Sequence, residues 1–313
     1  MTKTKHSITA GIALAVMCCA ILMSSTACKK TNAASSNITT PITTQQQATS
    51  QDNDEEGMQQ STQQTSIDLP GDNSIPKGAR ILMKVYPDFV KGYRDGKLLM
   101  SDGFTIVYDD GKKKSFIELL DDADPEDMFA FTYDRHSWVP AKMQDAGRSR
   151  CEVLFKKMYG SSSAQVNSKL VKVRWPFGTA TNNGGVNMKQ KTVRFTPVNG
   201  AAQQLEKVVA ELEKHPELHK YLAQSGAFYW RPVRGAKRLS AHSYGMTIDI
   251  GVKYSNYWRT QSTNENATIA YHNKYPHEIV EIFEKYGFIW GGRWYHYDTM
   301  HFEYRPEILM ANP

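Results

Sequence analysis

The aromatic residues of this 313-residue chain begin only at Tyr86, and this limits where a folded core can form. Between residues 29 and 74 the sequence consists mainly of Thr, Gln, Ser and Asn, with a short acidic run, DNDEE. Such a composition cannot bury enough apolar surface to offset the conformational entropy lost on folding. We therefore predict a disordered linker over 28–75, followed by a folded part that is long enough for one large domain or two small ones.

The first 28 residues have the pattern of an export signal. Two lysines precede an uncharged apolar run over residues 8–23, which suits a signal-peptide core and is short for a bilayer span. Small residues then lead to Cys28, as in bacterial lipoprotein signals, although Ser25 stands where such signals usually carry leucine. We predict a signal peptide over 1–27, lipidation of Cys28, and a membrane-anchored lipoprotein of the cell envelope, on its periplasmic or extracellular face. An ordinary secretory signal is the alternative.

Cysteine usage and net charge narrow the classes of protein further. Three of the four cysteines lie within the first 28 residues, so only Cys151 remains in the folded part and no intramolecular disulfide can form there. We expect Cys151 to be a small buried hydrophobic residue. The formal net charge of +6 is modest for this length and is not gathered into Lys/Arg runs, which argues against nucleic acid as a partner.

Residues 76–190 alternate short apolar runs with turn signals. Asp-Gly pairs at 95–96, 102–103 and 110–111 each lie near a β-prone run and predict hairpins. The stretch SFIELLDDADPEDMFAF predicts a short helix and a capped continuation, and LVKVRWPFG predicts a strand. We recognise no catalytic constellation in this segment and interpret it as an accessory N-terminal region, either an additional layer or an element of the substrate-binding wall.

Residues 191–313 have a different pattern. Apolar residues at helical spacing predict a core-facing amphipathic helix, formed by Ala202, Leu205, Val208, Val209 and Leu212. The stretch YPHEIVEIFEKYGF predicts a second helix, with Pro276 at its first position and Gly287 just after its end. Runs rich in aromatic and β-branched residues lie between and after the helices. We therefore predict an α+β domain with a small antiparallel sheet and flanking helices.

The segment SAHSYGMTIDI contains a candidate pair of functional residues. Strand alternation in GMTIDIGV puts Ile248 and Ile250 on one face and Asp249 on the other. Gly245 would allow the chain to turn and bring the imidazole of His242 back beside Asp249. A histidine and a carboxylate held together in this way are candidates for a metal site or for acid–base chemistry.

A second cluster, HYDTMHFEY, adds two histidines and an aspartate to this pair. Imidazole and carboxylate groups suit zinc, and a catalytic zinc site keeps its fourth position for water. We predict His242, Asp249 and His301 as the zinc ligands. Asp298 is then the unbound carboxylate that takes a proton from the attacking water and passes it to the leaving amine.

Both Asp298 and His301 can reach one site only if the chain bends or bulges at residues 299–300, because a regular strand would point them to opposite faces. Other interpretations remain open. His301 could be a packed core histidine, and Asp249 could be a turn residue or a salt-bridge partner. His296 is the rival ligand, although its spacing does not distinguish it from a surface imidazole.

Two arginines precede the site in the sequence, Arg231 in WRP and Arg238 in RLS. A guanidinium group can bind a carboxylate through two parallel hydrogen bonds, so either residue could hold an acidic group of a substrate. The alternative is that both are solvated surface residues.

The stretches YWRPVRGAKRLSAHSYGMTIDI and GFIWGGRWYHYDTMHFEYRPE resemble the zinc peptidases of bacterial cell walls, which include D-alanyl-D-alanine carboxypeptidases and L-alanyl-D-glutamate endopeptidases. The family pattern S-x-H-x-x-G-x-x-x-D begins at Ser240 and ends at Asp249, and the later acidic-x-x-His pattern falls on Asp298 and His301. The resemblance covers roughly residues 190–310. It implies the compact fold shared with hedgehog-type zinc domains.

The resemblance also implies roles for individual residues. The zinc ligands would be His242, Asp249 and His301, the general base would be Asp298, and Arg231, Arg238 and Ser240 would contact the substrate; Zn²⁺ would be the cofactor. Carboxypeptidase members usually have glutamate as the base, with a tryptophan just before the last histidine. An aspartate base is similar to the endopeptidase branch, which favours cleavage of the L-alanyl-D-glutamate bond.

These observations predict an exported zinc metallopeptidase, with an accessory region over 76–190 and a catalytic domain over 191–313. Its partners would be a peptidoglycan stem peptide and the membrane that holds its lipid anchor, and we expect a monomer. The main alternative is a non-catalytic cell-wall-binding lipoprotein that keeps the peptidase fold. A lipoprotein that only scaffolds other proteins is a third possibility and predicts no metal.

Overall fold

A computed structural model of the protein describes residues 74–313. The predicted signal peptide, the lipidation site at Cys28 and nearly all of the predicted linker lie outside the described residues. In the described part, no helix has the length and apolar content needed to cross a bilayer.

Seven α-helices lie in the described residues. In chain order they are α1 (Lys77–Val85), α2 (Phe116–Asp121), α3 (Glu152–Tyr159), α4 (Ser163–Lys169), α5 (Ala201–Leu212), α6 (His277–Lys285) and α7 (Pro306–Ala311). Short 3₁₀ turns occur between them, and one of these, Ala241–Tyr244, carries His242.

Ten short strands form four small antiparallel sheets within residues 74–313. The strands are β1 (Val90–Arg94), β2 (Lys97–Met100), β3 (Thr105–Val107), β4 (Val171–Arg174), β5 (Thr179–Ala180), β6 (Val186–Asn187), β7 (Thr192–Phe195), β8 (Thr247–Asp249), β9 (Phe288–Trp290) and β10 (His301–Tyr304). The sheet orders are β1-β2-β3, β8-β10-β9, β4-β7 and β5-β6. Small antiparallel sheets beside helices confirm the α+β class.

The predicted hairpins are correct at two of the three Asp-Gly pairs. Asp95 and Gly96 both have positive φ and join β1 to β2, as a two-residue hairpin turn requires. The pair at 102–103 lies between β2 and β3, which are also antiparallel. The third prediction is wrong, because the chain after Gly111 enters α2 instead of a strand. Helix α2 starts with a capping box, since Ser115 and Glu118 each accept a hydrogen bond from the other's backbone N–H.

The two long amphipathic patterns of 191–313 form the predicted helices. All five apolar residues predicted to face the core from α5 are buried. Helix α6 buries Ile279 and Phe283, and Gly287 follows its end with a φ of +90°. The predicted start is one residue too early, because Pro276 precedes the first helical residue. Cys151 is 3 % exposed, as predicted for a small core residue.

The hydrophobic core draws on both halves of the described chain. One continuous cluster of buried side chains includes residues from 76–190 and from 191–313, among them Tyr86, Leu98, Phe155, Leu205, Ile248 and Phe302. The accessory region therefore packs directly against the elements that carry the candidate site. The division at 190/191 remains a prediction.

The sheet β8-β10-β9 positions the candidate site. In its register Asp249 on β8 lies opposite His301 on β10, and Ile248 lies opposite Phe302. Met246, Ile248 and Ile250 are fully buried, as the alternation predicts. Thr247, on the same face as Asp249, is also fully buried. Strand alternation therefore separates the two faces but does not make either of them a solvent face.

Candidate metal centre

His242 is held in a fixed orientation beside Asp249. It lies in the 3₁₀ turn Ala241–Tyr244, and Gly245 follows with a φ of +69°, which reverses the chain before β8. The Nδ1 atom of His242 is 2.6 Å from the carbonyl oxygen of Ala227. Because a carbonyl only accepts, Nδ1 carries a proton, and Nε2 lies 3.2 Å from Oδ2 of Asp249.

Asp249 and His301 meet across the sheet. The Nδ1 atom of His301 is 3.1 Å from Oδ1 of Asp249. The ligand atoms of His242, Asp249 and His301 all lie within 4.8 Å of one another, so the structure brings the three predicted zinc ligands together.

Asp298 reaches the same place through a bend in the chain. Residues 299–300 form a turn, and the backbone N–H of His301 donates to the carbonyl of Asp298 at 3.2 Å. Strand β10 begins only at His301. The bend predicted at residues 299–300 is therefore present. Asp298 is partly buried, and its Oδ1 atom is buried without a hydrogen-bond partner in the described chain.

A cleft of about 430 Å³ opens over these residues. Its wall includes the three ligand candidates and Asp298, together with the predicted substrate contacts Arg231, Arg238 and Ser240. Arg231 is partly exposed, whereas only 10 % of the Arg238 side chain is exposed, because its guanidinium group pairs with Asp121. The cleft is thus a concave polar site around the histidine–carboxylate cluster.

Residues 234–304, which include this cluster, match a family model described as D-alanyl-D-alanine carboxypeptidase. The resemblance to the cell-wall peptidases is confirmed. No curated protein and no solved structure matches the chain. The matched segment, residues 234–304, thus contains Arg238, Ser240, all three ligand candidates and Asp298. Arg231 and all of 76–190 lie outside it.

Charges in the matched segment shift the pKa values of Asp249 and Asp298 in opposite directions. Burial alone would raise the pKa of Asp249, but the charge and hydrogen bonds of His242 and His301 outweigh it and hold this pKa well below its usual range. Burial and the negative charge of Asp249 raise the pKa of Asp298 to about 6. One carboxylate is therefore fixed as an anion, while the other can exchange a proton near neutral pH.

His301 lies among negative charges. Burial lowers its pKa, but the hydrogen bonds to Asp249 and Glu303 outweigh this and raise the pKa to about 10. The charge that favours a proton on His301 would equally favour a divalent cation at its Nδ1 atom.

The donor set fits zinc. Two imidazole nitrogens and one carboxylate match the ligand types of catalytic zinc sites, and the second nitrogen of each imidazole is hydrogen-bonded to the protein. These bonds, to Ala227 and to Glu303, fix which nitrogen of His242 and His301 faces the shared site. Metal binding would replace the present contacts of Asp249 with Nε2 of His242 and with Nδ1 of His301.

Glu303 is a member of the site that sequence reasoning missed. It is fully buried two residues after His301, and its Oε2 atom is 3.2 Å from Nε2 of His301. Burial raises its pKa, but the charge of Arg150 and contacts with His301 and Arg305 hold the pKa well below its usual range. The spacing H-x-E on one strand was the available signal, because residues i and i+2 share a face.

His296 is not placed as a ligand. It is 1 % exposed and is therefore a buried residue, not a surface imidazole. Its Nδ1 atom is 2.6 Å from Oδ2 of Asp145 and its Nε2 atom is 2.8 Å from the carbonyl of Glu265, so both nitrogens have protein partners. Asp145 belongs to the accessory region, in which the sequence shows no catalytic constellation.

Proposed function

We propose that this protein is an exported zinc metallopeptidase that hydrolyses an amide bond in peptidoglycan stem peptides. The observation that carries the proposal is the convergence of His242, Asp249 and His301 beside a second carboxyl group, that of Asp298, inside the segment that matches the peptidase family. A metal site with an adjacent free carboxylate is the arrangement that hydrolysis of an amide needs.

His242, Asp249 and His301 would hold the zinc ion. When bound, Zn²⁺ acts as a Lewis acid on the scissile carbonyl and lowers the pKa of the attacking water. Asp298 takes the proton that the water loses and passes it to the leaving amine. Without a metal, burial and the charge of Asp249 raise the pKa of Asp298 to about 6, and the positive charge of a bound Zn²⁺ would lower it and favour the ionised form that accepts the proton.

An L-alanyl-D-glutamate bond is the favoured substrate. The proposed base in this chain is an aspartate, as in the endopeptidase branch of the family. The second candidate activity is that of a D-alanyl-D-alanine carboxypeptidase. Arg231, Arg238 and Ser240 would contact the substrate, with a guanidinium group holding a substrate carboxylate. We also propose that residues 191–313 have the hedgehog-type zinc fold and that the protein acts as a monomer without nucleic acid.

The first experiment compares the purified protein, residues 74–313, with Asp298→Ala. We expect about one zinc ion per chain in both proteins, and cleavage that falls by about 10²- to 10⁴-fold in the variant, because general acid–base catalysis typically contributes that much. Asp88→Ala is the matched control, since Asp88 is exposed and distant in sequence from the site. Mass spectrometry of the new amine end identifies the bond. A chain that folds fully without binding zinc would contradict the ligand assignment.

A non-catalytic cell-wall-binding lipoprotein is the alternative. Such a module would be expected to have lost a ligand or the base, whereas this chain keeps all four residues. Stoichiometric zinc together with stem-peptide binding and no cleavage would favour the alternative.

We further propose that the protein is anchored in the cell envelope through a lipid on Cys28, on the periplasmic or extracellular side. Cys28→Ser should move the protein from the membrane fraction to the soluble fraction, whereas Cys19→Ser, within the same leader, should not. Cell fractionation followed by immunoblotting measures the distribution of both variants. If the leader is an ordinary secretory signal, the unmodified protein will already be soluble.

A further inference from the structure

Three guanidinium groups lie together in the wall of the cleft. Arg148 and Arg150 come from the segment just before α3, and Arg238 comes from the segment before Ser240. Arg148 and Arg150 lie outside the stretch that matches the peptidase family. The cleft wall therefore contains charged residues that the family pattern does not supply.

Buried carboxylates hold two of these arginines in place. Arg148 donates from Nη1 to Oδ2 of Asp145 at 2.6 Å, and Arg150 donates from Nη1 to Oε2 of Glu303 at 3.4 Å. Both carboxylates are fully buried, and the two arginine side chains are only 10–11 % exposed. The guanidinium groups are thus part of a built site rather than mobile surface groups.

These contacts leave donors unused. A guanidinium group has five N–H donors, and one carboxylate can accept from only two of them in a bidentate pair. The Nε atom of Arg238 is buried and has no hydrogen-bond partner in residues 74–313. A buried donor without a partner is unfavourable, so Arg238 has hydrogen-bonding capacity that the described chain does not use.

The three positive charges also oppose one another. Burial lowers the pKa of Arg238, and the nearby charge of Arg148 lowers it further. Burial also lowers the pKa of Arg150, and the nearby positive charge of Arg238 lowers it further. Each arginine already has a carboxylate partner (Asp145, Glu303 or Asp121), and an anion between the three would relieve the repulsion that remains.

We propose that Arg148, Arg150 and Arg238 form a subsite for a second carboxylate of the substrate, and that Arg148 and Arg150 determine specificity for it. The inference rests on the proposed function. A glutamate on the amine side of the cleaved bond has two carboxyl groups, and the peptide chain uses only one of them. The subsite takes the other, so the enzyme prefers stem peptides in which this carboxylate is free over those in which it is an amide.

The test uses two stem peptides that differ only in this group, one with the free glutamate carboxylate and one with the carboxamide. We expect kcat/KM to be about 10- to 100-fold higher for the free acid, the range expected for a hydrogen bond to a charged group. In Arg148→Gln the preference should fall to near unity, mainly through a higher KM for the free acid. Arg259→Gln is the control, because Arg259 also pairs with Glu265, as Arg148 does, but does not line the cleft.

The outcomes separate this inference from the proposed function. Equal cleavage of both peptides by the unmodified protein overturns the subsite and leaves the proposed function standing; this comparison needs no variant to fold. A preference that survives in Arg148→Gln, with a melting temperature close to that of the unmodified protein, overturns the role assigned to Arg148. If neither peptide is cleaved, the affinity of the protein for each peptide is measured by calorimetry. Tighter binding of the free acid that is lost in Arg148→Gln would support the subsite without the proposed function. Equal binding of the two peptides, or no binding, would overturn the subsite.

Discussion

At the scale of single residues, the candidate site depends on a buried carboxylate that does not face the cleft. Glu303 joins His301 to a chain of buried charges, because its Oε1 atom accepts from Arg305 at 2.7 Å while its Oε2 atom faces His301. Arg305 in turn pairs with Glu307. A carboxylate on the outer nitrogen of a metal-binding histidine fixes the orientation of the ring and raises its basicity.

Glu303→Gln should therefore weaken metal binding. The substitution keeps the size of the side chain but removes the negative charge that faces Nε2 of His301. We expect zinc affinity to fall by about 10- to 100-fold, the range seen when a partner of a ligand is removed. Competition with a chromophoric chelator measures the affinity directly, without any substrate.

Glu307→Gln is the matched control for this prediction. Glu307 is a fully buried carboxylate of the same network, but it contacts Tyr86 and Arg305 and not His301. Each variant leaves part of a buried charge pair uncompensated, so each should lower the free energy of unfolding by about 3 to 5 kcal/mol. Equal zinc affinities in the two variants would show that Glu303 acts on stability only.

The candidate site could be predicted from the sequence where its parts are close along the chain. Gly245 and the strand pattern predicted that His242 turns back to Asp249, and the odd spacing of Asp298 and His301 predicted the bend between them. The presence of Arg148 and Arg150 in the cleft wall could not be predicted, because only the packing of the accessory region brings them there. The sequence left the role of His296 open for the same reason, since its partner Asp145 lies about 150 residues earlier.

At the scale of elements, the turn before β8 determines whether His242 reaches Asp249. Gly245 has a φ of +69°, and a Cβ atom there would lie 2.5 Å from Cδ2 of Leu170. Gly200 has a similar φ of +76° at the start of α5, but a Cβ atom there would meet nothing within 4 Å. Alanine substitutions at the two glycines therefore distinguish the cost of backbone strain, which both share, from the cost of a steric clash, which only Gly245 has.

Gly245→Ala should destabilise the protein more than Gly200→Ala does. Both variants put a side chain in the left-handed region, which costs about 1 to 2 kcal/mol. Only Gly245→Ala adds overpacking against Leu170, which costs about 1 to 3 kcal/mol more. Urea denaturation measures both free energies of unfolding, and zinc affinity should fall only in Gly245→Ala. Equal losses of stability in the two variants would contradict this account of the turn.

Elements with a long periodic pattern were the most predictable. Helices α5 and α6 follow from apolar residues at helical spacing, and two hairpins follow from Asp-Gly pairs. The third pair fails because Asp109 accepts from the backbone N–H of Gly111, and Lys114 binds Asp110 and Asp127, so local side-chain bonds favour a turn into α2.

At the scale of the whole folded part, the accessory region supplies hydrogen bonds that the site-bearing elements need. The indole N–H of Trp294 donates to the carbonyl of Ala146 at 2.6 Å, and Arg305 donates to the carbonyl of Gly147 at 2.7 Å. The hydroxyl group of Tyr133 donates to Glu284 at 2.6 Å. All of these contacts are buried, so water cannot replace the lost partners without opening the core.

Residues 191–313 should consequently fail to fold when they are expressed alone. Removal of 76–190 would expose the apolar faces that pack against Phe155 and Tyr86. It would also leave the indole N–H of Trp294 without its acceptor and remove the Gly147 carbonyl that accepts from Arg305. Each buried polar group left unsatisfied costs about 1 to 3 kcal/mol, so a few of them approach the 5 to 15 kcal/mol that stabilises a typical domain.

Near-UV circular dichroism and a thermal melt of the fragment, beside residues 74–313 as the control, test this prediction. We expect the fragment to lack a near-UV signal and a cooperative transition, whereas the longer chain should have both. Added zinc separates two causes of instability, since a fragment that lacks only metal would fold when zinc is supplied. A cooperative transition in the fragment, with or without zinc, would show that 191–313 is an autonomous domain and that the accessory region contributes only to the cleft wall.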